Sequence, residues 1–135
     1  MPITGISHIT FVVRDLDRSA SLWRDALGAE EIYDSGSKGF SVSAEKFFIL
    51  GGVWIAIMQG EPTERSYRHV AFEVAASELP AFAVRLRASG AEIKPARHRV
   101  NAEGQSLYFY DYDNNLIELH AGTLAERLRH YASAA

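Results

Sequence analysis

No cysteine occurs anywhere in the 135 residues. A disulfide framework and a thiolate metal site are therefore both excluded, and any metal must be held by imidazole and carboxylate groups. Basic charge is not in excess either: 14 Lys and Arg against 17 Asp and Glu leave a net charge of −3. No overall positive field favours nucleic acid. No apolar run approaches the roughly 20 residues that span a bilayer. The start, Met1-Pro-Ile-Thr-Gly5, lacks the basic and apolar segments of a secretory signal. The expected setting is the cytoplasm, with neither nucleic acid nor membrane as partner.

What is present is ordinary for a soluble globular chain, 47% hydrophobic and 23% charged. The length suits one domain, residues 1–135, with a proper core. A β-branched strand pattern runs from Ile6 to Val13, and Asp15-Leu-Asp17 offers an N-cap for an amphipathic helix over Arg18 to Leu27 that Gly28 closes. Short strands are expected at Glu31–Asp34, Phe40–Ala44, Phe47–Leu50 and Val53–Met58. From Tyr67 the order begins again: a strand at His69–Val74, a helix over Glu78–Ser89 capped by Ser77, and a strand at Glu92–Pro95. A hairpin then spans Ser106 to His120, its turn covering Asp111 to Asn115. A last amphipathic helix follows Thr123, with Leu124, Leu128 and Tyr131 on one face.

The recurrence can be measured. Ser7-His8-Ile9-Thr10-Phe11 lines up with Arg68-His69-Val70-Ala71-Phe72 at an offset of 61, and Gly28-Ala29-Glu30 with Gly90-Ala91-Glu92 at 62. Two βαβββ units explain this, one about 5–60 and the other about 67–122, with the C-terminal helix about 123–133. Equivalent positions of a duplicated sheet face equivalent directions, so His8 and His69 are expected to face one another across a pseudo-twofold axis. On the last strand of the second unit, Leu116, Glu118 and His120 share one side and Ile117 and Leu119 the other. A carboxylate among Leu and Ile is costly to bury unless its charge is compensated. Its counterpart 62 residues earlier is Ala56.

His8, His69 and Glu118 therefore form the expected ligand set. Two imidazoles and one carboxylate leave coordination positions open, which suits Mn²⁺, Fe²⁺, Zn²⁺ or Co²⁺ in a reactive site. A single strand histidine is more often a core or edge residue; the equivalence of two of them, plus an isolated strand glutamate, favours ligation. His120, on the face of Glu118, is the alternative ligand. His98 and His130 read as solvated.

On these residues the chain resembles the vicinal oxygen chelate superfamily, which includes glyoxalase I, extradiol dioxygenases, bleomycin-binding proteins and fosfomycin resistance enzymes. The run Glu103-Gly-Gln-Ser-Leu-Tyr-Phe109, then Asp111-Tyr-Asp-Asn-Asn-Leu-Ile-Glu-Leu-His-Ala-Gly-Thr-Leu124 with Arg127-Leu128, is similar to the last group. The resemblance implies an α+β vicinal oxygen chelate fold, two βαβββ repeats making a cupped mixed sheet around a metal site, plus the C-terminal helix. It implies Mn²⁺ first, with Fe²⁺, Co²⁺, Zn²⁺ or Ni²⁺ as alternatives. It also implies a homodimer with active sites built from both chains.

Fosfomycin is a small epoxide carrying a phosphonate dianion. By resemblance Thr10, Ser106, Tyr108 and Arg127 are its contacts, hydroxyls donating and the guanidinium clamping the phosphonate. Read alone, Tyr108 fits a core aromatic as well, and Arg127 beside Glu126 a solvated surface charge. The loop 97–102 lacks the lysine and serine of the glutathione-using branch, which leaves a monovalent-cation site unsupported and Arg99 as the positive charge there. Glu45, before Lys46-Phe47-Phe48, resembles the catalytic base of the fosfomycin epoxide hydrolases. Spacing alone would make it a solvated turn residue paired with Lys46. The implied function is metal-dependent hydration of the oxirane to a diol phosphonate, Glu45 activating the water. A thiol (glutathione) transferase and a metal-free drug-sequestering protein are the alternatives.

Overall fold

The computed structural model of the chain describes residues 2–38, 42–95 and 104–134. Arg99, His98 and the rest of the 97–102 loop, Glu103, and Phe40 of an expected strand lie outside the described residues. The chain divides into two compact units: Met1–Arg65 with Asp111–Asn115, and Ser66–Tyr110 with Leu116–Ala135.

The first unit is a four-stranded mixed sheet in the order β1-β4-β3-β2, made of β1 (His8–Val13), β2 (Glu30–Asp34), β3 (Glu45–Leu50) and β4 (Val53–Gln59). Between β1 and β2 runs helix α1 (Leu16–Ser21), its N-terminus capped by the Asp15 side chain accepting from the Arg18 N–H. The helix does not stay α to its end: Leu22–Ala26 is a π turn. This widening seats Leu22 and Trp23, both fully buried, against the sheet. Phe11 and Phe48 supply the facing rings, 5.2 and 6.3 Å from Trp23 between centroids. Each such side chain is worth about 1.5–3 kcal/mol over its exposed state. Residues 42–44 of the expected strand Phe40–Ala44 are irregular, while the neighbouring strand starts two residues early, at Glu45.

The second unit repeats the plan as β5-β8-β7-β6, with β5 (His69–Glu73), β6 (Glu92–Ile93), β7 (Gln105–Tyr110) and β8 (Leu116–Ala121). Each repeat thus closes its own four-stranded mixed sheet. Helix α2 (Leu79–Ala88) has Pro80 in its first turn and is entered through a 3₁₀ turn, Ala76–Glu78, so the expected side-chain cap from Ser77 is not formed. Leu86, Phe109 and Ile117 are fully buried and Leu119 nearly so. Helix α3 (Leu124–Ser133) begins at a side-chain N-cap: Thr123 Oγ1 accepts from the Glu126 N–H and donates to its carboxylate. Its expected apolar face exists but is exposed in the chain, Leu124 most of all.

The turn between β7 and β8 follows the Asx logic read from its sequence. Asp111 accepts from the N–H groups of Asp113 and Asn115, both at 2.8 Å, and Asn114 takes a left-handed φ of 67°. No helix of the described residues is long and apolar enough to cross a membrane.

Candidate functional site

Register decides which side chains share a face. In the first sheet His8 lies beside Trp54 and Thr10 beside Ala56, while Glu45 lies opposite Met58 and Phe47 opposite Ala56. His8, Thr10, Glu45, Phe47, Trp54 and Ala56 therefore line the face turned away from Phe48 and Trp23. The His8 ring lies 4.3 Å from that of Trp54, which meets Phe47 edge-on at 5.1 Å. Ser7 Oγ is 3.0 Å from His8 Nδ1, a contact that fixes one ring nitrogen and leaves Nε2 for another partner. Trp54 Nε1 is buried with no hydrogen-bond partner among the described residues.

Glu45 is only 9% exposed, and its carboxylate has no hydrogen-bond or ion-pair partner among the described residues. The pairing with Lys46 that spacing alone suggested is not formed. Adjacent strand residues point to opposite faces, and Lys46 turns to Asp34 at 2.8 Å, Asp17 at 3.5 Å and Glu31 at 3.8 Å.

In the second sheet Ala71 lies beside Glu118, Tyr108 opposite Glu118 and Ser106 opposite His120. With His69 they make one polar face. Glu118, 5% exposed, sits between two imidazoles: His69 Nε2 is 3.1 Å from Oε1 and His120 Nδ1 is 3.0 Å from Oε2. Ser106 Oγ donates to Oε2 at 2.6 Å and lies 2.8 Å from His120 Nδ1. Burial is the largest single influence on Glu118 and pushes its carboxyl up. The hydrogen bonds from Ser106 and Tyr108 and the charges of His120 and His69 together outweigh it, and the group ends below its ordinary value. Burial, then the bonds to Tyr67 and Glu118, push the Tyr108 phenol up, so it stays a protonated donor.

The tautomers follow from the partners. His69 Nδ1 is 2.7 Å from the Tyr67 carbonyl oxygen, which only an N–H can satisfy, so Nε2 faces Glu118 either with a lone pair or with a second proton. Two acceptors 3.1 Å apart need a positive charge to share: a proton, giving an ion pair, or a metal ion accepted by both. The donor chemistry of His69 and Glu118 thus fits a divalent cation. His120, the alternative ligand, is instead tied through Nδ1 to the same carboxylate and to Ser106, with Arg127 Nη2 3.5 Å from its Nε2. Arg127 is half-buried beside a hollow of about 240 Å³ that Glu118, His120 and Thr123 also line. Among the described residues no group of three or more His, Asp or Glu side chains is arranged to hold a metal ion. The pair His69–Glu118 belongs to the second unit and His8 to the first.

Three contributors were not found from the sequence. Trp54 read only as a strand apolar residue. Tyr67 holds the ring of Tyr108 at 6.2 Å and of His69 at 4.9 Å, yet it stands outside any strand pattern. Lys94 Nζ lies 5.4 Å above Tyr67 and 5.9 Å from Tyr110, which puts a cation on this face. An aromatic cluster beside a lone lysine was the available signal.

Residues 5–119 match the Glyoxalase/Bleomycin resistance protein/Dioxygenase superfamily. The chain is 53% identical over 130 residues to the fosfomycin resistance protein FosX of Listeria innocua, covering 96% of this chain and 98% of that one. It is 38% identical to the metallothiol transferase FosB of Shouchella clausii, covering 98% and 90%. Its fold superposes with a TM-score of 0.88, at 50% identity and covering 95% and 99%, on a FosX mutant from Listeria monocytogenes complexed with Mn(II) and 1S,2S-dihydroxypropylphosphonic acid.

Proposed function

The chain belongs to the Glyoxalase/Bleomycin resistance protein/Dioxygenase superfamily, and from that premise we propose that it is a divalent-metal-dependent epoxide hydrolase that inactivates fosfomycin. One observation carries this: the similarity, at 50% identity over 95% of the chain, to a protein crystallised with Mn(II) and a dihydroxypropylphosphonic acid. That compound is a vicinal diol phosphonate, the product that water gives on opening the oxirane of fosfomycin. Thiol transfer would leave sulfur on the carbon instead.

The ligands we assign are His8, His69 and Glu118, with Mn²⁺ as the ion. When bound, the metal supplies Lewis acidity to the oxygen that leaves the attacked carbon. Glu45 is the general base: a carboxylate oxygen takes a proton from water as the water oxygen bonds to carbon and the carbon–oxygen bond of the ring breaks. Its lack of a cationic partner among the described residues supports that role, since an ion pair with Lys46 would weaken it as a base. Thr10 donates a hydroxyl hydrogen bond to the phosphonate, and Arg127 and Arg99 balance its charge. Ser106 and Tyr108 add theirs by turning their hydroxyls from Glu118. The working form is a homodimer with sites built from both chains, as carried over from the superfamily.

The test is the product mass formed from fosfomycin and Mn²⁺ with and without glutathione, for the parent and Glu45→Gln. The parent gives the diol in both mixtures. Glu45→Gln, which removes the base but keeps the shape, gives none while still binding Mn²⁺. A product that forms only with thiol would overturn the hydration mechanism.

A further inference from the structure

The two repeats differ by a single residue in their second strands, and that residue changes what faces Glu45. In the first unit Glu31 pairs with Phe48 but Tyr33 pairs with Phe47, so Ile32 is an extra, bulged residue. In the second unit Ile93 pairs with Phe109 and the next residue, Lys94, donates its N–H to the Tyr108 carbonyl at 2.9 Å. No residue is inserted there. The offset between repeats accordingly drops from 62 at Glu31 and Ile93 to 61 at Tyr33 and Lys94.

The consequence lies two residues on. Without the bulge, Tyr33 would face Lys46, and Asp34 would stand directly opposite Glu45 on one face, two carboxylates across a strand pair. With it, Asp34 pairs with Lys46 and bonds its ammonium at 2.8 Å on the far face. Ser35 falls opposite Glu45 and clasps its backbone both ways: the Ser35 N–H donates to the Glu45 carbonyl, and the Glu45 N–H donates to Ser35 Oγ, each at 3.0 Å. Ser35 is 3% exposed and Lys46 5%. The equivalent of Lys46 in the second repeat, 61 residues on, is Leu107. An apolar side chain therefore suffices for the fold at that position. A near-buried ammonium seldom stabilises more than an apolar residue of similar size, and fixing one register is the better attested use of such a group.

We propose that the bulge at Ile32 and the clasp it creates, Ser35 on the backbone of Glu45 and Asp34 on the ammonium of Lys46, form the positioning element for the base. Bulges next to reacting groups re-aim side chains; this one turns a carboxylate away from Glu45 and brings in a hydroxyl and a cation that pin its strand. Ser35 and Lys46 are positioning residues that touch no substrate. The inference rests on Glu45 being the base, and its test keeps the two apart.

Ser35→Ala and Lys46→Met are compared with Glu45→Gln in the full-length Mn²⁺-loaded protein, measuring kcat and KM for diol formation, Mn²⁺ affinity and thermal melting. The clasp predicts that each of the first two lowers kcat by roughly ten- to hundredfold, the effect of a misplacement of about an ångström, with KM and Mn²⁺ affinity unchanged. Lys46→Met does so without a lower melting temperature. A parental kcat in both variants, with Glu45→Gln inactive, overturns the clasp alone. Diol formation by Glu45→Gln overturns the base itself. Early melting and lost Mn²⁺ binding in both variants would make these residues structural and overturn the positioning role.

Discussion

Replacing Ser106 with alanine separates two roles for one hydroxyl. In the structure it donates to Glu118 Oε2 at 2.6 Å and sits 2.8 Å from His120 Nδ1. A hydrogen bond to a charged group is worth about 1.5–3 kcal/mol, and each 1.4 kcal/mol is about tenfold in affinity. Groups that orient a ligating carboxylate change metal affinity by about 10–100-fold when removed, which agrees with that range. An opposing effect exists, because a carboxylate with fewer bonds attracts a cation more strongly. It is limited here, since His120 Nδ1 remains 3.0 Å from the same oxygen. Ser106→Ala should therefore weaken Mn²⁺ binding by about 10–100-fold, read by calorimetric titration of the metal-free protein or by the electron paramagnetic resonance signal of free Mn²⁺. If Mn²⁺ affinity is unchanged while KM for fosfomycin rises, the hydroxyl serves the phosphonate and not Glu118.

Two further outcomes follow from packing and charge. Gly104 has a φ of +87°, and a Cβ there would run into Ala121 O and lie 3.1 Å from two atoms of the His120 ring. Gly104→Ala should cost about 3 kcal/mol or more, joining left-handed strain to overpacking. Gly51→Ala, at φ +57° with nothing within 4 Å, should cost about 1–2 kcal/mol; equal urea midpoints would refute the close seating of His120. The Lys46 bond, followed by the Gly36 N–H, holds the Asp34 carboxyl below its ordinary value. Its contribution is complete above the unfolded value, about 4, and is lost as pH falls through the folded one. The Asp34 bond raises Lys46 above 10.5, so that contribution is complete below 10.5 and lost as pH rises past the folded value. Lys46→Met should flatten the acid limb of the urea midpoint against pH, and an unaltered limb would refute the pairing. Asp111, raised mainly by burial, has the opposite sign and does not mimic the effect.

Much of this was legible because a repeat reports on itself. The alternation Leu116-Ile-Glu-Leu-His120 assigned faces that the register bears out, and Asp111 and Asn114 announced their turn. What was not legible needed tertiary contacts. Nothing in Leu22-Trp-Arg-Asp-Ala26 signals a π turn; that widening answers the bulk of Trp23 against the sheet. Glu45 beside Lys46 looked like a solvated pair because spacing cannot show a bulge three strand positions away. The partner of Lys46 is chosen by Ile32, which contributes no chemistry of its own.

The same arithmetic explains why a duplicated scaffold need not have a symmetric chemistry. At equivalent positions the first repeat carries Ala56, Glu45 and Lys46 where the second carries Glu118, Ser106 and Leu107. In the second repeat a hydroxyl and an imidazole tie the carboxylate down, as suits the metal ligand proposed there. In the first, the carboxylate occupies the position of that hydroxyl, the residue opposite it is Met58, and the counterpart of Glu118 is Ala56, so neither side chain competes for its lone pairs. For the roles proposed above, the ligand has its carboxylate itself anchored, whereas the base has only the backbone beneath it anchored and its oxygens left free. The two units use one sheet plan for these opposite ends.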